Sequence, residues 1–286
     1  MSINKKKFPL LPRQAAAEKS DFGHTLVLAG SPGFSGAAIL SSRAAVASGS
    51  GLVTLGVPRG LGAWIARRSI PEVMLRVFPS TTSGTLSCSA MKSILDYVEQ
   101  KRIRCVALGP GLSVERSTTL LVRHLIQKLT VTTVLDADGL NAFAGRPALF
   151  KSRRGELILT PHRRELERVF GTPYPGIQRL RVALAIKLSK IYDVVLVLKG
   201  ERTVVASPAG HVYVNNTGNP GMAKGGCGDA LTGIIAAFVS QGLSAFEAAR
   251  WGVYYHGRAA DIAVRIQGEL GLRASDIIEY LPNSFR

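Results

Sequence analysis

Short, unbroken apolar runs alternate along this chain with longer stretches whose apolar positions recur every three or four residues. The short runs are rich in β-branched residues and predict strands over 26–29, 52–57, 105–108, 133–136, 157–160 and 194–198. Most lack the apolar-polar alternation of a half-exposed strand, which fits parallel strands buried on both faces. The longer stretches predict helices over 36–48, 90–100, 117–128, 163–170, 178–192, 229–241 and 245–266. Strand-helix alternation of this kind predicts an α/β three-layer sandwich around a mostly parallel sheet. One interruption stands out. Residues 203–206 and 212–214 flank Ser207-Pro208-Ala209-Gly210, a turn sequence that predicts a hairpin and an antiparallel sheet edge.

Composition narrows the class. The 286 residues are 46% hydrophobic and only 19% charged, enough to form a sizeable core and too apolar for wholesale disorder. No repeat or long linker divides them, so a single domain over 21–286 is expected behind a basic arm over 1–20. Three cysteines, Cys88, Cys105 and Cys227, lie far apart without a CxxC pair, which argues against a disulfide framework or structural zinc. The longest purely apolar run, 234–239, is far short of a membrane span. Lys5-Lys6-Lys7 precedes an apolar stretch too short and proline-broken for a signal-peptide core, so a cytoplasmic address is expected.

Charge is the unusual number. Against 36 basic residues stand 19 acidic ones, a net +17. Nucleic acid is the obvious partner for such a balance. The basic residues are scattered, however, and aromatics amount to 7%, so no stacking platform is apparent. Steering of small polyanionic substrates fits this dispersal better.

The strongest local feature is Asn219-Pro220-Gly221-Met222-Ala223-Lys224-Gly225-Gly226-Cys227-Gly228-Asp229, running directly into an apolar helix. Gly225, Gly226 and Gly228 leave backbone N–H groups uncovered where that helix begins, and such a start favours anions. Asp229 in the same place reads as an N-cap on the bland view. A cap needs no flanking glycines, whereas a phosphate cradle beside a base for a substrate hydroxyl does. Other phosphate motifs fail. Gly-Lys occurs nowhere, so there is no Walker A loop, and Gly30-Ser31-Pro32-Gly33-Phe34-Ser35-Gly36 is not GxGxxG. Cys227, with no histidine partner evident in sequence, reads as space-filling rather than nucleophilic.

Residues 225–229 resemble the GxGD anion hole of ribokinase-like enzymes, and the longer string is similar to the ADP- or ATP-dependent NAD(P)H-hydrate dehydratase family. Supporting segments occur in family order over roughly residues 10–281: Ser35-Gly36-Ala37-Ala38, Pro71-Glu72-Val73-Met74, Leu108-Gly109-Pro110-Gly111-Leu112, Asp136-Ala137-Asp138-Gly139-Leu140-Asn141, Thr160-Pro161-His162-Arg163-Arg164-Glu165 and Leu198-Lys199-Gly200. Cys227 departs from the usual Thr or Ser, and Ile70 from a frequent His. The resemblance implies a ribokinase-like fold and ADP- or ATP-dependent dehydration of hydrated NADH or NADPH, with Mg²⁺. It implies that Asp229 activates the hydrate hydroxyl and that Gly225, Gly226, Cys227 and Gly228 form the anion hole. It places the nucleotide at Lys199, Gly200, Glu201, Arg202, Thr203 and Gly228. Ala37, Gly111, His162 and Asp229 are then the substrate contacts.

Each has a blander alternative. His162 fits an ordinary loop histidine, Lys199 a turn before the hairpin, and Ala37 and Gly111 packing positions. Asp136 and Asp138 could hold Mg²⁺ through water, but Asp138 reads better as the cap of a helix starting at Gly139, and Glu165 as a first-turn helix acid. No epimerase segment accompanies the motifs, so dehydration alone is expected, with a separate epimerase as partner and a homo-oligomer, a tetramer among the candidates, as the assembly. The rivals are a hydroxyethylthiazole or hydroxymethylpyrimidine kinase of the same fold and a basic nucleic-acid-binding protein.

Overall fold

The computed structural model describes residues 14–286, so most of the expected basic arm lies outside the described residues. Nine strands are found among them: β1 (His24–Leu28), β2 (Leu52–Pro58), β3 (Val73–Phe78), β4 (Cys105–Leu108), β5 (Thr132–Leu135), β6 (Leu157–Leu159), β7 (Val195–Leu198), β8 (Val204–Ala206) and β9 (Val212–Val214). They form one sheet in the order β3-β2-β1-β4-β5-β6-β7-β8-β9. The first seven in that order run parallel, and β8 and β9 add the antiparallel edge expected of the hairpin.

The helices are α1 (Ser35–Ala47), α2 (Gly62–Ala66), α3 (Met91–Gln100), α4 (Arg116–Lys128), α5 (Asp138–Asn141), α6 (Arg163–Phe170), α7 (Gln178–Tyr192), α8 (Cys227–Ser240), α9 (Ala245–Gly271) and α10 (Ala274–Ser284). Strand side chains alternate between two cores. Val27, Ala107, Val134 and Val197 pack toward α1, α8, α9 and α10. Leu26, Leu28, Leu108, Leu135 and Leu196 pack toward α3, α4 and α7. Because both faces are covered, the strands carry apolar residues at successive positions, which is the continuous pattern seen in the sequence.

Three elements escape that pattern: the strand β3, the short helix α2 and the helix α10. In β3 only Val73 and Phe78 are buried, because this edge strand pairs with β2 alone and leaves Met74 and Val77 largely exposed. In α10, Pro282 lies inside the helix and masks it in sequence. The expected stop of α9 near residue 266 corresponds to a break at Gly268, whose φ of 67° and ψ of 162° are not helical.

The chain builds outward from β1 to β3, then returns to lay β4 on the other side of β1. That reversal between β1 and β4 is the topological switch point near which doubly wound sheets bind ligands. Gly30 donates its N–H to the Pro110 carbonyl at 2.9 Å and the Ser31 hydroxyl donates to the Gly111 carbonyl at 2.8 Å, which ties the loops after β1 and β4 together.

Candidate active site

Asp136 follows β5 and Lys199 follows β7, and the two meet at the carboxyl ends of the strands. The Lys199 ammonium lies 2.7 Å from Asp136 Oδ1 and 3.8 Å from Glu165 Oε2. The Thr232 hydroxyl, one turn into α8, donates to Asp136 Oδ2 at 2.7 Å. Asp136 is thus a buried tie between two strand ends and a helix. Burial pulls the Lys199 pKa down, but the carboxylates of Asp136 and Glu165 outweigh it and leave the ammonium more basic than usual.

Helix α8 begins two residues earlier than its apolar pattern suggested, at Cys227, with Gly226 as N-cap at a φ of 92°. A left-handed residue there suits glycine, and no side chain caps the helix. The amides of Cys227, Gly228 and Asp229 consequently occupy the first turn, where α-helical donors lack intrahelical acceptors. Asp229 is the third helical residue, and the cap reading for it does not hold. Its carboxyl pKa is pushed up to about 6, first by burial and then by the nearby Asp136 charge. The ammonium of Lys199 lies close to this turn: a Cβ built on Gly228 would stand 3.3 Å from Lys199 Nζ and 3.7 Å from Asp136 Oδ2.

The sequence-predicted residues fall into two groups. His162, Lys199, Gly200, Glu201, Arg202, Thr203, Gly225, Cys227 and Gly228 line one cleft of about 1430 Å³. This exceeds the 300–1000 Å³ usual for one small ligand. Gly226 and Asp229, although in the same turn as Cys227 and Gly228, lie outside that lining, as do Ala37 and Gly111, where a Gly111 Cβ would stand 3.2 Å from the Ala37 Cβ. Helices α1 and α8 touch where Gly233 leaves no room for a Cβ against the Ser41 carbonyl. One turn toward the N-terminus on each helix stand Ala37 and Asp229.

His162 is the N-cap of α6. Its Nδ1 accepts the amides of Arg164 at 3.1 Å and Glu165 at 3.2 Å, while Glu165 Oε2 accepts the His162 amide at 2.7 Å. Glu165 is therefore the first-turn acid expected, and also part of the charge cluster around Lys199. Asp138 departs from expectation. It is the first residue of α5 rather than its cap, and its carboxylate accepts the Ser113 amide at 2.8 Å and the Asn141 side-chain amide at 3.1 Å. Ala137 between the two aspartates has a φ of 49°, a strained turn for a residue with a Cβ. Cys227 is buried and its thiol is pushed above the ordinary value, first by burial, which agrees with a space-filling role.

Several residues were given no role from sequence. Arg163, Arg164, Arg181 and Lys224 join Lys199 and the expected Arg202 around the cleft, against one acid, Glu201. Charges scattered in sequence are gathered by the fold into one cationic mouth. His256 on α9 lines the cleft too, with Nε2 unpartnered and its pKa pulled down to about 4, chiefly by burial. Its place beside Cys227 depends on α9 crossing α8, which no motif records.

An uncapped helix start, a half-buried lysine at a neighbouring strand end and an aspartate with a pKa raised to about 6 stand together at the carboxyl ends of a ribokinase-like sheet. More narrowly, the chain belongs to the NAD(P)H-hydrate dehydratase family, whose model matches residues 25–283. It is 42% identical to the bifunctional NAD(P)H-hydrate repair enzyme Nnr of Moorella thermoacetica over 96% of this chain and 51% of that protein. The chain thus spans about half the length of the bifunctional relatives it matches. With the ADP-dependent (S)-NAD(P)H-hydrate dehydratase of Neisseria meningitidis it shares 35% identity over 93% of this chain and 86% of the relative. The ADP/ATP-dependent NAD(P)H-hydrate dehydratase from Bacillus subtilis, co-crystallized with ATP/Mg²⁺, superposes with a TM-score of 0.82 at 32% identity, covering 97% of this chain and 95% of the other.

Proposed function

We propose that this chain returns hydrated NADH or NADPH, in its S form, to the reduced dinucleotide at the expense of ADP or ATP. The observation that carries the reading is the open first turn of α8 on a cationic cleft, with Lys199 in the cleft lining and Asp229 in that same turn of the helix. Asp229 takes the proton of the ring hydroxyl as that oxygen attacks the terminal phosphorus of the nucleotide. The bond from phosphorus to the bridging oxygen breaks, releasing AMP from ADP or ADP from ATP. The amides over 225–228 hold the charge on the transferring phosphoryl group, and Lys199 balances the phosphates. A base with a pKa of about 6 suits this work near neutrality. Phosphate then leaves as the ring nitrogen pushes electrons toward the carbon that held it, and loss of the adjacent ring proton restores the double bond.

Mg²⁺ fits the donor set. Asp136, Glu165 and Asp229 place three carboxylates around the single Lys199 ammonium, an excess of negative charge that a cation would relieve. Among the described residues no three His, Cys, Asp or Glu side chains form a metal cage. That matches an ion held mostly by phosphate and water. An ion there would be held by phosphate and water near Asp136 and Glu165, whose own oxygens are engaged by Lys199, Thr232 and His162, and it would neutralise phosphate charge. No described helix is long and apolar enough to cross a membrane. A cytoplasmic location, a homo-oligomer and a separate epimerase partner belong to the same proposal.

The test is incubation with NADH hydrate, Mg²⁺ and either nucleotide, following the absorbance of the reduced nicotinamide. Regeneration is expected only with nucleotide present, with phosphate and AMP or ADP released. Phosphorylation of a thiazole alcohol without response to the hydrate would move the assignment to the kinase rival.

A further inference from the structure

The turn after β7 is gripped by α7 and the loop that precedes it. Arg181 is 9% exposed, yet its guanidinium pairs with no carboxylate among the described residues. One Nη donates to the Tyr174 hydroxyl at 2.7 Å, the other donates to the Glu201 carbonyl at 2.6 Å, and Nε has no partner. The Tyr174 hydroxyl passes the contact on, donating to the Lys199 carbonyl at 3.3 Å. Gln178, at the start of the same helix, donates to the Arg202 carbonyl at 3.1 Å. The Thr203 hydroxyl takes the remaining carbonyl, that of Gly200, at 2.9 Å.

Every carbonyl from Lys199 to Arg202 is therefore engaged, three of them by α7 or its approach. The amides of Gly200, Glu201 and Arg202 find no acceptor among the described residues, and all three residues line the cleft. Successive unpaired amides in a turn form an anion-binding concavity. The grip also dictates Gly200. Its φ is +150°, and a Cβ there would stand 2.7 Å from the Tyr174 hydroxyl and 3.2 Å from the Arg181 guanidinium. A buried, unpaired arginine is expensive unless something in the cleft compensates it. An anion arriving at the turn would do so.

We propose that Tyr174, Gln178 and Arg181 are positioning residues that hold this turn with its carbonyls toward α7 and its amides toward the phosphates of a bound nucleotide. The inference rests on the nucleotide-dependent reading above. Calorimetric AMP binding and steady-state kinetics on the full chain test it, with Tyr174→Phe, Arg181→Met and, as a control, Arg179→Ala, an exposed cation on the same helix. Arg181→Met should weaken AMP binding and raise the ADP KM about tenfold or more, and Tyr174→Phe about threefold to tenfold, since hydrogen bonds to charged groups carry most of the grip. The hydrate KM should stay within twofold, a split that general loss of structure would not produce. Arg179→Ala should bind AMP as the parent does. If Arg181→Met fails to fold, Tyr174→Phe decides, because it removes one hydroxyl and keeps the ring. Parental AMP affinity in a folded Arg181→Met or in Tyr174→Phe would overturn the proposal alone. Failure of the parent to bind AMP or ADP would overturn the nucleotide reading and the proposal with it.

Discussion

Asp229→Asn separates chemistry from stability, because the two should move in opposite directions. The carboxyl pKa stands at about 6 in the folded chain against an ordinary 3.8, first because of burial. A carboxyl that holds its proton more tightly when folded favours the fold below pH 4, and that advantage is lost as pH rises toward 6. Above pH 6 the ionised group destabilises the fold. The full shift corresponds to about 3 kcal/mol, and the solvent contact Asp229 retains reduces the expectation to about 1–2 kcal/mol. Asparagine has the same size and carries no charge, so the variant should melt higher by about 2–6 °C at pH 7.5. The gain should vanish near pH 4, where both side chains are neutral. Turnover should move the other way, because the amide cannot take the hydroxyl proton, and losing a general base removes about 10² to 10⁴ in rate. AMP affinity should hold or rise, since a negative charge beside the phosphates is gone. The assays are calorimetric melting from pH 4 to 8, AMP titration, and single-turnover regeneration of NADH from its hydrate. The parent's rate should also fall about tenfold per pH unit below 6. Turnover within a few-fold of the parent would remove Asp229 from the chemistry, and an unchanged or lower melting temperature would refute the burial argument.

Three further outcomes follow from neighbouring contacts. Lys199→Met strips the cation from Asp136 and leaves a buried carboxylate unpaired, so it should cost about 3–5 kcal/mol by denaturant titration; a Lys199→Met/Asp136→Asn double variant should recover part of this. Gly228→Ala puts a methyl group against Lys199 without touching the core, so the melting temperature should stay within about 2 °C while turnover falls at least tenfold; parental turnover would show that no ligand approaches this amide. Cys227→Ser should keep turnover within about threefold, since burial holds the thiol protonated and idle; loss of turnover would revive the nucleophile reading.

Much of this molecule is determined locally. Apolar runs buried on both faces fix β1, β2 and β4 to β7, and turn chemistry at residues 207–210 fixes the hairpin, because each signal lies within a few consecutive residues. Glycines around Cys227 likewise mark an uncapped helix start before any helix is drawn. Local signals weaken where burial is partial or mixed, which is why β3 at the sheet edge and the proline-bearing α10 were not legible. Asp138 misled for a related reason: aspartate before a glycine looks like a cap, but its carboxylate is drawn to Ser113, 25 residues away in the chain. What only the tertiary structure decided is the company each group keeps. Asp136 meets Lys199 across 63 residues and Thr232 across 96, and Arg181 reaches the carbonyl of Glu201 from a separate helix. Ionisation, an anion's welcome and the set of a turn depend on charges and dipoles within a few ångströms. The order of strands in the sheet, rather than the order of residues in the chain, determines which of them stand that close.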